Sequence, residues 1–230
     1  MRIGVTGNQP LRGTYTPAGN SNATMALIAA SLLTDRPVVL RGVPELPLAG
    51  AAELDVSHNR ISALPPSFFA EAGALRRLRM HDNALAELPA SLARLASLES
   101  LSVGGNLLRA LSGLEGCTAL VEVSAEDCRV SELPDLARLP ALRRLLLAGN
   151  CLGAGSGTWA SSLPPGLQSL DVSRNGIAAV PADACWPRAL RVLNLSRNRL
   201  SVFDRRSLAT LPADCAVLLA DNPLSRENID

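Results

Sequence analysis

Leu193-Asn194-Leu195-Ser196-Arg197-Asn198-Arg199-Leu200, preceded by Leu190, is the cleanest copy of a stretch that recurs along the chain. Written as L-x-L-x-x-N-x-L, the same frame fits Leu75/Leu78/Met80/Asn83/Leu85, Leu98/Leu101/Val103/Asn106/Leu108, Leu142/Leu145/Leu147/Asn150/Leu152 and Leu167/Leu170/Val172/Asn175/Ile177. Weaker copies lie at Leu54/Val56/Asn59/Ile61, Leu120/Val123/Ala125/Cys128/Val130 and Val217/Leu219/Asn222/Leu224. The asparagine position falls at 59, 83, 106, 128, 150, 175, 198 and 222, so the steps are 24, 23, 22, 22, 25, 23 and 24 residues. Self-similarity at such a period marks a stacked-repeat architecture.

The spacing has a physical cause. Side chains alternate along a strand, so the two leucines of L-x-L share one face of a short strand. The chain then turns sharply inside the stack and leaves backbone groups without a ladder. Asparagine carries both a donor and an acceptor, so a buried Asn can satisfy those groups in its own coil and the adjacent one. Cys128 donates only weakly, and its coil is expected to hold the turn less firmly. One coil cannot bury its leucines alone; stacking gives a continuous core. Taken together, these features identify the chain as a member of the leucine-rich repeat family. The expected fold is α/β: a right-handed solenoid of eight coils, with a parallel sheet on the concave side and short helical turns opposite, where L-x-x-L recurs at Leu92/Leu95/Leu98 and Leu136/Leu139/Leu142.

Composition agrees. Of 230 residues 47% are apolar, as a leucine core requires, and a net charge of +1 gives no global pull toward nucleic acid or membrane. With three Phe, one Tyr and two Trp, the chain offers little for base stacking. The five cysteines, 117, 128, 151, 185 and 215, are odd in number and form no C-x-x-C pair or terminal cluster. Cys117 falls in the apolar register between Leu114 and Leu120, as a core thiol would. All five are expected to be reduced, in a cytoplasmic setting or, for an effector-like protein, a host cytosol. Met25 to Leu33 is the longest apolar run and far too short to span a bilayer.

Residues 1–44 lie outside the repeat, which occupies 45–230. Ile3 and Val5 suggest a strand, Asn20-Ser21-Asn22 caps a helix over Ala23 to Thr34, Pro37 ends it, and Val38-Val39-Leu40 reads as a second strand. Leu11-Arg12-Gly13, Ala18-Gly19-Asn20-Ser21-Asn22-Ala23, Leu32 to Val38 and Val43-Pro44 resemble the opening of a UDP-N-acetylglucosamine 1-carboxyvinyltransferase, an enolpyruvyl transferase. In that resemblance Asn22 matches a substrate-binding position, while Ser21 stands where the family has lysine, so the basic residue for the phosphate is absent. The expected role of this β-α-β piece is to cap the apolar end of the solenoid.

Within the array, Leu88-Pro89-Ala90-Ser91-Leu92-Ala93-Arg94-Leu95 resembles the intracellular Ras-group repeats. Leu163-Pro164-Pro165-Gly166-Leu167-Gln168-Ser169-Leu170-Asp171-Val172-Ser173-Arg174-Asn175 is similar to repeats of secreted bacterial ubiquitin ligases, as is Asp221-Asn222-Pro223-Leu224-Ser225. In that family a catalytic domain with a C-x-D nucleophile motif follows. None of the five cysteines here has Asp or Glu two residues later, so ligase activity would come from another chain. Gly153-Ala154-Gly155-Ser156-Gly157-Thr158-Trp159 marks a flexible insertion, in which Trp159 either anchors a partner or folds back over its own coil.

The outward strand positions decide what the concave face offers. Coil by coil they read Glu53/Asp55/Ser57, Arg77/Arg79/His81, Ser100/Ser102/Gly104, Glu122/Ser124/Glu126, Arg144/Leu146/Ala148, Ser169/Asp171/Ser173, Val192/Asn194/Ser196 and Ala216/Leu218/Ala220. Eight strands at ~4.8 Å give a ribbon of roughly 34 Å, suited to a folded partner or long peptide rather than a metabolite. The candidate partner-binding residues are Asp55, Arg77, Arg79, His81, Glu122, Arg144, Asp171 and Asn194. His58 and His81 lie in adjacent coils near Asp55 and Asp82, but no third ligand stands at a diagnostic spacing, so no metal or other cofactor is predicted. No phosphate loop, G-x-S-x-G or H-E-x-x-H occurs. The expected function is non-catalytic binding of a protein or peptide, not nucleic acid or membrane; the alternatives are the recognition part of a ligase-like effector lacking its catalytic domain, or a remnant of an enolpyruvyl transferase. The coil around Val217, Leu219 and Leu224 has no covering helix after it and should fray, self-associate end to end or meet a further domain.

Overall fold

The computed structural model describes residues 50–155, 159–181, 184–202 and 210–224. Eight three-residue strands recur once per repeat: β1 (Glu53–Asp55), β2 (Arg77–Arg79), β3 (Ser100–Ser102), β4 (Glu122–Ser124), β5 (Arg144–Leu146), β6 (Ser169–Asp171), β7 (Val192–Asn194) and β8 (Ala216–Leu218). They pair in sequence order into one parallel sheet. Parallel neighbours require a crossover between them, and the right-handed sense of such crossovers makes the stack a right-handed solenoid.

The register carries out what L-x-L implies. Leu54, Leu78, Leu101, Val123, Leu145, Leu170, Leu193 and Val217 are successive partners, forming one column under the sheet. Every member from Leu78 to Leu193 is at most 1% exposed. Parallel columns flank it: Leu75, Leu98, Leu120, Leu142, Leu167 and Leu190 before the strands, and Leu85, Leu108, Val130, Leu152, Ile177 and Leu200 after the turns. Burying one such leucine stabilises by about 1.5–3 kcal/mol.

On the opposite side the apolar segments with period three that lead into the strands form 3₁₀ helices η1 (Ala90–Arg94), η2 (Leu114–Gly116) and η3 (Leu136–Arg138), and a fourth, η4 (Leu152–Ala154), follows the Asn150 turn. No α-helix is present among the described residues. A 3₁₀ turn takes three residues, so leucines three apart eclipse on one face. Leu92, Leu95 and Leu98 therefore all point inward and are fully buried. Since these turns are thicker than the strand spacing, the sheet lies on the concave side.

The asparagine ladder is complete from Asn83 to Asn222, with Cys128 as its one substitution. The Asn150 amide donates to Ala125 O (2.7 Å) and Leu147 O (3.0 Å), and its carbonyl accepts from Val130 N (2.9 Å) of the preceding coil. Asn83, Asn106, Asn175, Asn198 and Asn222 repeat this bridge. At position 128 the thiol donates once, to Val103 O at 3.5 Å.

The residue before each ladder position was not anticipated as special. His58, Asp82, Gly105, Asp127, Gly149, Arg174, Arg197 and Asp221 all have positive φ, from 51° to 72°. This left-handed column turns the chain off the sheet. His, Asp and Gly tolerate it best; the arginines less so. The β-α-β cap expected over residues 1–44, and its transferase-like resemblance, lie outside the described residues.

Candidate functional site

Each strand's two outer residues project from the concave face, while the third outward position behaves differently. Ser57, Ala148 and Ser173 are buried at 7%, 8% and 8%. The chain is already turning toward its left-handed residue there, so this column sinks into the edge of the sheet. At those coils the open face is therefore two residues wide, whereas His81, Glu126 and Ser196 lie half-buried at its margin and Ala220 is exposed.

On that face the candidate residues are brought together in pairs, one repeat apart. Arg77 is ion-paired with Glu53, Arg79 lies 3.8 Å from Asp55, and Arg144 bonds Glu122 at 2.5 Å. Asn194 donates to Asp171 Oδ2 at 2.9 Å. Each is a register partner of the other, so stacking alone creates the pairs. A sequence signal existed: opposite charges at the same strand position in consecutive repeats. At the rim Arg197 pairs with Asp221 one repeat on, and Arg174 reaches past Gly149 to Asp127 two repeats back, each at 3.2 Å. Exposed pairs like these contribute little stability, but they neutralise the face locally.

Burial disfavours the charged form of Asp55 but is outweighed by hydrogen bonds from the Ser57 hydroxyl and amide. With Arg79 and His81 also nearby, its carboxyl is held below the ordinary value. Toward β8 the face becomes apolar. Val192 is 36% exposed and Leu218 47%, on adjacent strands, with Leu146 half-buried further along.

Elsewhere, Trp159 is 5% exposed and packs against Trp186, centroids 6.1 Å apart at 61°. It folds back over the array and offers no anchor. None of the five cysteines is in a disulfide. Burial, with Glu115 nearby, pushes the Cys117 thiol up to about 12, and it donates to Leu92 O at 3.2 Å, as a core thiol does.

The Leucine rich repeat family model matches residues 50–108 and 165–224, more than half of the chain. The chain belongs to the leucine-rich repeat family. Its similarity to Podocan-like protein 1 of Mus musculus is 34% identity over 183 residues, covering 76% of this chain and 32% of that protein. With Toll-like receptor 9 of Felis catus it shares 35% identity over 201 residues, covering 76% and 19%. The chain thus spans a third or less of these relatives. Among solved structures, that of a TLR13–ssRNA13 complex superposes with a TM-score of 0.61 at 25% identity, covering 69% of this chain and 23% of that one. That of the Toll–Spatzle complex gives 0.62 at 23% identity, covering 75% and 25%, and shares the fold.

The enolpyruvyl transferase resemblance of residues 1–44 finds no support in these comparisons. Nor does the expected cytoplasmic setting, since receptors stand among the relatives. The exclusion of nucleic acid is likewise unsupported, because one similar structure holds single-stranded RNA. Among the described residues, no helix is long and apolar enough to cross a membrane.

Proposed function

We propose that the chain is a non-catalytic recognition module that binds a protein or peptide partner on its concave sheet. The observation that carries this reading is the pairing on that face. Its charges are satisfied laterally, coil to coil, so a partner docks without leaving them uncompensated. Val192 and Leu218 meanwhile remain exposed as an apolar step, the kind of surface that anchors an interface. Asp55, Arg77, Arg79, His81, Glu122, Arg144, Asp171 and Asn194 would surround it as the polar residues that select the partner. Relatives built of the same repeats support a protein-interaction module. In this reading residues 45–230 are the recognition array and residues 1–44 cap it. The β8 end of the stack, which among the described residues pairs only with β7, is where a further domain or a second copy would continue it.

Affinity capture with three baits tests this: the native chain, Val192→Ser/Leu218→Glu, and Arg94→Ala in η1 on the convex side. A protein retained by the native and Arg94→Ala baits, and lost with the concave double variant, is the expected result. Equal retention by all three overturns the assignment of the face.

A further inference from the structure

We propose that His58 and His81 form a binding site for one borderline divalent transition-metal ion, of the Zn²⁺, Cu²⁺ or Ni²⁺ class, oriented by Asp82 and Ser102. The two histidines are the only ones in the chain, and 22 residues separate them. The solenoid brings them together. His58 occupies the left-handed turn of the first coil, Asp82 occupies the same position one coil on, and His81 precedes Asp82. Stacking one repeat on the next therefore sets residue 58 against residues 81 and 82.

The resulting geometry is that of a ligand pair. The two Nε2 atoms lie 3.2 Å apart, with the rings edge to face at 87° and centroids 4.8 Å apart. Two ligands of a tetrahedral ion at ~2.0–2.1 Å are separated by about 3.3 Å, so the spacing already fits. The outer nitrogens are both engaged. His58 Nδ1 lies 3.0 Å from Asp82 Oδ2, and His81 Nδ1 lies 3.2 Å from Ser102 Oγ. A metal-bound histidine characteristically donates its other N–H to a carboxylate, backbone carbonyl or water, which fixes ring orientation and basicity; Asp82 is such a carboxylate, and Ser102 offers His81 a hydroxyl oxygen. Gly105 supports the carboxylate: a Cβ there would come within 2.3 Å of Asp82 Oδ1.

Without an ion, the same contacts accommodate a relay: Ser102 O–H to His81 Nδ1, His81 Nε2–H to His58 Nε2, and His58 Nδ1–H to Asp82. Binding an ion requires only that His81 move its proton from Nε2 to Nδ1, where Ser102 Oγ accepts it. Both imidazoles stay neutral and both Nε2 lone pairs face the ion. Imidazole ligands favour Zn²⁺, Cu²⁺ and Ni²⁺ over the oxygen-seeking Mg²⁺ and Ca²⁺. The side chains of His58 and Asp82 are 64% and 54% exposed, so the remaining coordination positions open to water at the margin of the concave face.

Calorimetric titration with Zn²⁺ tests the site. The chain carries Cys151→Ser, Cys185→Ser and Cys215→Ser, since these are the less buried thiols and a thiolate is itself a zinc ligand. One saturable site per chain is expected, with no heat from Mg²⁺. His58→Asn, chosen because asparagine tolerates the φ of 56°, and His81→Gln should each abolish saturation, with circular dichroism unchanged. Asp82→Asn should weaken binding about 10–100-fold. In nitrogen-15 imidazole spectra His81 should move to the Nδ1–H tautomer on zinc addition, while His58 keeps the Nδ1–H form it already has. An isotherm unchanged by either histidine variant, or no saturable binding through the millimolar range, overturns the proposal and leaves a hydrogen-bonded pair.

Discussion

Replacing Cys128 by asparagine should stabilise the protein. At every other ladder position from 83 to 222, an asparagine donates at least twice and accepts at least once. Cys128 manages one donation, to Val103 O at 3.5 Å, and takes weak bonds from the amides of Asn106 and Leu108. Asn150 shows what an asparagine would do one coil earlier. Its amide would reach Val103 O and Ala125 O, and its carbonyl would accept from Leu108 N–H. Three amide bonds would replace weak sulfur contacts, each worth about 0.5–1.5 kcal/mol net. Burying a more polar side chain among Val103, Ala125 and Val130 opposes this, leaving an expected gain of about 1 kcal/mol. The assay is urea unfolding of the native chain and Cys128→Asn by far-ultraviolet circular dichroism, with the slope compared as well as the midpoint. A higher midpoint at equal slope, with slower exchange of the Leu108 amide, is expected. A lower midpoint at equal slope refutes the view that the thiol under-satisfies its turn.

Asn150→Ala should lower stability by ~1–3 kcal/mol, because it orphans buried backbone groups of two coils, whereas Arg199→Ala in an exposed position should change little; equal urea midpoints would refute the ladder's role. For Asp55 the folded carboxyl ionises below the ordinary value, so its contribution is present above the unfolded pKa and lost as pH falls through the folded one. Asp55→Asn should therefore cost a few tenths to about 1 kcal/mol near neutrality, with the gap closing below pH ~4; a gap independent of pH would count against this. Amides of Val217 to Leu219 should exchange faster than those of Leu145 to Leu147 in a dilute monomer, because β8 is half-exposed while β5 is paired on both sides.

The inward side of the fold was legible because its signals are local. L-x-L sets which residues pair and which are buried, and all eight strands fall where that frame puts them. The 3₁₀ character of the convex turns was less visible, since L-x-x-L is compatible with either helix over so short a span. The left-handed column escaped because its occupants, among them His58, Gly105 and Arg174, share a backbone shape and no side-chain chemistry. The candidate face was legible as a set of positions but not as pairs. Reading Asp55 and Arg79 as neighbours requires laying one repeat over the next. The same operation brings His58 to Asp82 and His81, which counting along the chain leaves apart.

That superposition explains how one architecture serves both stability and recognition. In a solenoid each coil touches only its neighbours, so stability is nearly a sum of coil and interface terms. The inward columns carry those terms through leucine burial and the asparagine bridges. Outward residues such as Arg77, Glu122 and Val192 contribute little to them, being exposed or paired at the surface. Changing the face in one coil therefore leaves the fold of the others intact, and substitutions three or more coils apart should add in their effect on stability. A partner spanning several coils would instead couple them, because its contacts with the apolar step near β8 and the charged pairs of β1 and β2 are made together. Non-additivity in binding alongside additivity in stability would thus be the signature of a ligand lying along the sheet.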